Sequence, residues 1–253
     1  MIYDAFLYNG EDTMLELRLG VIGDVVDRIV IGEATTTFSG KPKPLTFNAK
    51  DSRFAPYARQ IDHVVIGDTP DSGADRWARE RFQRDALLRG LRNCRADDLV
   101  IISDVDEIPD PYALKCGERG GYRSQISNYW LNTIEEGPVW IGPAVGYAFE
   151  VLGPGPETRR ARRYGYNRVE RGGWHFAYAM TEAQIVQKLQ SFAHAEYDSP
   201  EWHAKILQAR KDLKSFVTGN TMKVVDIDKG YFPQFLRDHR DRFQNLLFGT
   251  PGA

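Results

Sequence analysis

The sequence predicts an α/β fold with a mainly parallel central sheet flanked by helices. Apolar runs of strand length alternate with helix-period stretches through the first 110 residues, the pattern that crossover connections leave. The chain has 253 residues, 42% of them hydrophobic and 27% charged. That is enough apolar surface for a large core and too much for a disordered or fibrous chain. Acidic and amide residues stand where the predicted strands end, and open α/β sheets gather ligands at the carboxyl ends of their strands.

Each element follows in order. Residues 1–8 read as a buried strand closed by the Asn9-Gly10 turn. Residues 13–19 read as a short helix carrying Met14, Leu15, Leu17 and Leu19. A second strand at 28–33 runs into the polar loop TTTFSGKPKP, and a third lies at 61–66. The clearest helix is 74–93, where Ala74, Ala78, Phe82 and Ala86 recur every four residues and Leu87 and Leu91 widen the stripe. A fourth strand, 99–102, leads directly into Ser-Asp-Val-Asp-Glu-Ile-Pro. Further strands are expected at 122–131 and 139–141. The glycine-, proline- and arginine-rich stretch 137–173 is expected to be the least regular part. Helices follow at 181–193, with Thr181 as N-cap, and at 199–213, with Ser199 as cap and Pro200 in the first helical position. A closing helix is expected at 231–248. The whole reads as one domain with a nucleotide-type half, 1–110, and an acceptor-type half, 111–253.

Charge narrows the function. Thirty-three Lys and Arg against thirty-five Asp and Glu leave a formal net charge of −2, which removes the general electrostatic case for nucleic-acid or anionic-membrane binding. One local exception is the dense run Arg159, Arg160, Arg162, Arg163, Arg168 and Arg171. It suits a phosphate-bearing acceptor, a lipid-diphosphate carrier or nucleic acid; the plain alternative is a solvated loop. No apolar run reaches the roughly 18 to 20 residues of a membrane span. The beginning of the sequence has no basic leader pattern. Two cysteines cannot build a disulfide framework. A cytoplasmic protein without a membrane span is expected.

LVIISDVDEIPD is the most informative segment. If extended geometry continues past Ser103, Asp104 and Asp106 project to one side, about 7 Å apart along the strand. Such a pair suits a magnesium or manganese ion that keeps positions free for substrate phosphates. Glu107 would point the other way. The plain alternative is a pair of helix-capping acids. Haloacid-dehalogenase-like phosphatases also place D-x-D after an apolar strand, which would make Asp104 a nucleophile. They do so near the N-terminus, however, and a later acidic motif is represented here only by Asp226 and Asp228. A non-catalytic nucleotide- or sugar-binding module is a third reading.

Six blocks in order, FLYNGEDTMLELRL, VIGEATTTFSGKPKPL, ERFQRDALLRGL, IISDVDEIPD, GGWHF and YFPQFLRDHRDRFQNLL, resemble glycosyltransferase family 17, a family of N-acetylglucosaminyltransferases. The resemblance runs from Tyr3 to about Leu247 and is weakest between residues 122 and 171. It implies a GT-A-like fold, a UDP-sugar donor such as UDP-N-acetylglucosamine, a divalent metal (Mn2+ or Mg2+), inversion at the anomeric carbon and a glycan or glycoconjugate acceptor. A cell-surface polysaccharide precursor is the expected acceptor class. On the same resemblance Asp104, Asp106 and His175 are the candidate metal ligands, and Asp104 also serves the diphosphate. Asn9, Glu11, Glu33 and Arg84 are candidates for holding the nucleotide sugar. Inversion needs a base for the acceptor hydroxyl. Glu182, after Thr181, is the first candidate, although an acid in a helix's first turn is favourable in any case; Glu135 and Glu136 are its rivals. Trp174 is a candidate sugar-stacking ring, and Lys41 and Lys43 a candidate donor-site wall. His194 and Glu196 receive no role.

Overall fold

Strand β1 (Ile2–Leu7) runs through the middle of the sheet, and the computed structural model describes residues 1–249. Alternate side chains of β1 serve opposite faces, as a strand's period of two requires. Phe6 packs with Leu15, Leu19 and Ile22 of helix α1 (Asp12–Ile22). Tyr3 and Ala5 pack with Leu87, Leu91 and Val151 on the other face. Strands β2 (Arg28–Ala34) and β3 (Ile61–Ile66) continue the sheet in parallel on one side of β1.

Helix α2 (Arg76–Asp85) is shorter than the sequence pattern suggests and passes into a 3-10 turn at Ala86–Arg89. Asp75 caps it by accepting from the Ala78 amide at 2.9 Å. Ala86, Leu87 and Leu91 of the apolar stripe are buried just beyond its end, whereas its own buried residues are Arg79, Gln83 and Arg84. This face turns toward a cavity, so polar groups are buried there against partners. Arg79 donates to the carbonyls of Phe38 and Gly73, and Gln83 to the carbonyl of Thr36. The helix thereby pins the loop that follows β2.

Strand β4 (Leu99–Asp104) pairs in parallel with β1 from Ile2↔Leu99 to Leu7↔Asp104. Beyond it come β5 (Glu107–Pro109), α3 (Pro111–Lys115), β6 (Gly120–Asn128), β7 (Thr133–Glu135) and β8 (Trp140–Tyr147). Helices α4 (Ala148–Leu152) and α5 (Pro156–Ala161) lead into β9 (Arg168–Ala177). The eight-stranded sheet has the order β3-β2-β1-β4-β8-β6-β9-β5. Its first three pairings and β6–β9 are parallel, whereas β4–β8, β8–β6 and β9–β5 are antiparallel. The expected fold class holds: a GT-A-like α/β arrangement with a mainly parallel sheet.

Residues 137–173 depart from expectation, being mostly regular. The glycines here mark close approach as well as turns. A Cβ on Gly173, whose φ is +145°, would fall 2.1 Å from the Ile108 carbonyl; one on Gly146 would fall 2.4 Å from the Arg159 guanidinium. At Gly173 only glycine lets the two backbones meet, and at Gly146 the missing Cβ leaves room for the guanidinium.

Helix α6 (Glu182–Ser191) starts at Thr181 in a capping box with Gln184, and α7 (Pro200–Lys211) starts at Ser199 with Pro200 in its first turn, as the sequence indicates. A short strand β10 (Met222–Val224) pairs with β7 outside the main sheet. The expected closing helix is replaced by α8 (Gln234–Asp238) and two single 3-10 turns. The cause is long-range capture of its main chain. The Leu131 amide donates to the Leu246 carbonyl, and the Asn132 side chain binds both the amide and the carbonyl of Phe248. Among the described residues no helix is long and apolar enough to cross a membrane.

Candidate active site

The carboxyl ends of β1, β2 and β4 open into a cavity of about 840 Å³, within the usual range for small-molecule sites. Strand β4 stops at Asp104, and the chain turns through Val105 and Asp106 before β5. The extended path expected past Ser103 is therefore not taken. Both carboxyl side chains nevertheless line the cavity, while Val105 between them is buried in the core.

Each carboxylate faces cations. Asp104 accepts from Arg84 at 2.9 Å and from Arg160 at 3.1 Å, one on each oxygen. Burial alone would raise its pKa, but the guanidiniums of Arg160 and Arg84 outweigh burial and hold the carboxyl far below the usual range. Arg84 also binds Glu80 at 2.9 Å and Glu157 at 2.8 Å. Against the cost of burial, Asp104, Glu80 and Glu157 push its pKa above the ordinary arginine value. Asp106 accepts from Lys188, on α6, at 3.0 Å. Burial opposes the charge of Lys188, yet Asp106 and Glu11 prevail and keep it ionised beyond the ordinary lysine range.

Glu107 does not line the cavity; it is fully buried behind Arg160 and Trp140. It accepts from the Asp104 amide at 3.0 Å, from Arg160 at 2.6 Å and from the Trp140 indole at 2.8 Å. His175 sits opposite Glu107 in the β5–β9 register. Its ring stacks on Trp140 with centroids 4.5 Å apart, and its Nε2 lies 3.9 Å from Asp106. Trp174 instead faces the core, packed on Tyr231 with its indole bound to the Tyr231 carbonyl. Trp140, which the sequence analysis did not single out, is the tryptophan at this point of the cavity wall.

The other candidates separate cleanly. Asn9 and Glu11 line the cavity, Glu11 with its carboxyl pushed up by burial against the opposing pull of Lys188. Glu33 does not line it. Fully buried, it accepts from the Thr46 and Phe47 amides and pairs with His63 at 3.0 Å, so it anchors the loop after β2. Lys43 is part of the cavity wall; Lys41 is not. Glu182 stands outside this cavity and outside the adjoining one of about 300 Å³. It is paired instead with Arg210 at 3.6 Å. Glu136 is exposed and paired with Lys223. Its neighbour Glu135 has the opposite fate because β7 alternates: it is 6% exposed and lines the cavity. Glu135 accepts from Asn128 at 2.6 Å, from Asn220 at 3.3 Å and from the Thr218 hydroxyl, and among the described residues it makes no ion pair.

The arginine-rich stretch is not a basic surface. Arg159 and Arg160 are buried, and Arg163 binds the Ile141 carbonyl while its guanidinium lies 5.6 Å from the Trp140 ring centre. These side chains are spent inside, which leaves Arg162, Arg168 and Arg171 exposed. Asp226 and Asp228 lie away from the cavity, paired with Lys229 and Arg240. The second acidic element that a phosphatase of the haloacid-dehalogenase type would need is thus missing from this site.

Among the described residues no three His, Cys, Asp or Glu side chains converge as a ready ligand set for a metal. Asp106 and His175 do present an oxygen and an imidazole nitrogen 3.9 Å apart. Magnesium-type sites commonly use one or two carboxylates and fill the rest of the shell with phosphate oxygens and water, so these two donors fit a divalent ion. Both Asp104 oxygens are already held by arginines. The His175 Nδ1 is buried with no hydrogen-bond partner, so no neighbour fixes its tautomer.

The sheet is GT-A-like, and its D-x-D turn meets two arginines and a lysine at the strands' carboxyl ends. Sequence comparison carries this to a family. Residues 1–121 match the family model of Glycosyltransferase family 17. The β-1,4-mannosyl-glycoprotein 4-β-N-acetylglucosaminyltransferase of Homo sapiens is 34% identical over a 304-residue alignment spanning 97% of this chain and 55% of that protein. The Rattus norvegicus and Mus musculus proteins of the same name are 34% identical over 116 residues, 43% of this chain and 21% of theirs. The chain is thus similar to the family 17 glycosyltransferases, and it spans about half the length of the human protein it matches. The family-model match ends at β6, where the resemblance weakens.

Proposed function

We propose that this chain is a metal-dependent, inverting glycosyltransferase that moves N-acetylglucosamine from its UDP donor to a hydroxyl of a glycan or glycoconjugate. One observation carries the reading. The D-x-D turn meets Arg84, Arg160 and Lys188 in one cavity at the strands' carboxyl ends, three cations that can exchange their carboxylate partners for the oxygens of a departing diphosphate. The names of the relatives support the sugar.

Asn9 and Glu11 at the end of β1, with Thr36, Phe38 and Lys43 of the pinned loop, form the wall for uridine. Arg84, Arg160 and Lys188 hold diphosphate oxygens in place of, or beside, their present carboxylates. A divalent ion on Asp106 and His175, when bound, would add charge neutralisation for the leaving UDP. Glu135 takes the acceptor proton. Its three hydrogen-bond donors fix the orientation of the carboxylate in the cavity wall. As the acceptor oxygen attacks C1 of the sugar, the bond from C1 to the diphosphate breaks with inversion. Residues 1–110 form the donor half of one domain and residues 111 onward the acceptor half. His175, Arg160 and Lys188 reach back from the second half into the first.

Calorimetry of UDP binding with and without Mn2+, on the protein and on Asp106→Ala, tests this reading. Binding that needs the metal and drops at least tenfold in the variant is the expected result. Binding of UDP that ignores both metal and variant would overturn the metal step, and no binding at all would overturn the donor.

A further inference from the structure

The turn that carries Asp104 and Asp106 rests on a charged side chain outside the cavity. Arg18, on α1, is fully buried, as is Asp4 of β1 beside it. Its Nε and Nη2 donate to the two Asp4 oxygens at 2.8 and 2.5 Å. Nη2 also donates to the Ser103 hydroxyl at 2.7 Å. Nη1 reaches three main-chain carbonyls of the turn: Asp104 at 3.0 Å, Val105 at 3.3 Å and Glu107 at 2.9 Å. We infer that Arg18 is a positioning residue that aims the Asp104 and Asp106 carboxyl groups into the cavity by gripping the main chain of their turn. The inference rests on reading that turn as the donor site.

Every N–H of the Arg18 guanidinium has an acceptor. A guanidinium has five N–H donors in a planar fork. Here two go to Asp4, one to Ser103 and two to the three carbonyls, one of them shared. Had the role been only to tie α1 to β1, an ammonium on Asp4 would have sufficed; the fork is what lets one side chain hold a carboxylate and a turn together. With the carbonyls of residues 104, 105 and 107 drawn beneath the sheet, the side chains of Asp104 and Asp106 are left facing the cavity. The rest of the turn is fixed independently. The Phe176 amide donates to the Asp106 carbonyl at 2.9 Å, and the Asp104 amide donates to Glu107. Arg18 is therefore the remaining fastener on the inner side. Phe6 covers it, with the guanidinium carbon 4.5 Å from the ring centre, which excludes water that might otherwise substitute at those carbonyls.

Two variants test the inference without leaving a bare buried charge. Arg18→Lys keeps the charge opposite Asp4 but removes the fork. The double change Asp4→Leu with Arg18→Met replaces the buried pair by apolar groups, an exchange that commonly preserves folding. Two readouts apply to each folded variant: amide hydrogen exchange at residues 104–107, and the affinity for UDP with Mn2+. The expected result is exchange at those amides at least tenfold faster, with the β1, β2 and β4 amides unchanged, and UDP affinity reduced at least tenfold. Wild-type exchange at 104–107 together with wild-type affinity in either variant overturns the inference, as does loss of protection spread evenly over α1 and the sheet, which would mark a purely structural pair. If the unaltered protein itself fails to bind UDP, the donor-site reading falls, and the exchange measurement still decides whether Arg18 holds the turn.

Discussion

The two halves of the molecule reach the same cavity in different ways. In the first, β1, β2 and β4 deliver groups at their carboxyl ends, so Asn9 and Asp104 arrive where strand length and direction put them. In the second, Arg160, Lys188 and Glu135 come from a short helix, a longer helix and a three-residue strand that has left the main sheet. The first half places functional groups by backbone periodicity, the second by long side chains whose partners lie far away in sequence. Arg160 meets Asp104 across 56 positions, and Lys188 meets Asp106 across 82. A parallel sheet supplies a platform, and the charges that make it selective are brought from outside it.

If that division is right, the largest loss of activity comes from the second half. Glu135→Gln is expected to lower kcat by about 10² to 10⁴ with little change in KM, the range for losing a general base. A transfer assay with UDP-N-acetylglucosamine checks it, and a wild-type kcat would move the base elsewhere. Arg160→Met leaves Glu107 buried without its cation, which should cost about 3 to 5 kcal/mol of stability; a shift in denaturation midpoint measures it. The corresponding change in the first half acts on a loop rather than on the core. Burial alone would raise the pKa of Glu33, but His63, the Thr46 amide and Lys43 together hold it below its ordinary 4.5. A depressed carboxyl stabilises the fold above that ordinary value and loses its contribution as pH falls through the lower folded-state value. Melting temperature should therefore fall below about pH 4.5, and Glu33→Gln should flatten that part of the profile. The smallest effects belong to the acids outside the cavity. Glu182→Ala and Glu136→Ala should stay within about 0.5 kcal/mol in stability and leave kcat/KM unchanged, and a large loss in either would contradict the placement of the acceptor site.

Much of the first half was legible because its signals are local. The span Ile61–Ile66 is as expected from its apolar run; local signals hold in the second half too, where Thr181 and Ser199 cap the helices that their side chains announce. The apolar stripe 74–91 was right for Ala86, Leu87 and Leu91, which are buried, and misled within α2, where the face beside a polar cavity buries Arg79, Gln83 and Arg84 instead. The arginine-rich stretch misled for the related reason that a guanidinium can be satisfied inside by carbonyls and carboxylates. For Arg160 the available signal was its place in a run of arginines within a neutral protein, which suggested anion chemistry but not which residue would supply it.

The sequence by itself determined the parallel strands, the placing of two acids directly after β4 and the starts of α6 and α7, because periodicity and capping act over a few residues; that the acids sit on a turn was decided by the tertiary structure. Only the tertiary structure decided that Glu135 rather than Glu136 or Glu182 enters the cavity, that Glu33 anchors a loop, and that Arg18 lies beneath the turn. Alternation along β7 separates Glu135 from Glu136 but does not say which face is inside. That is set by where β7, β10 and the 215–220 segment meet the sheet, and the energies that fix such meetings are summed over contacts between distant parts of the chain.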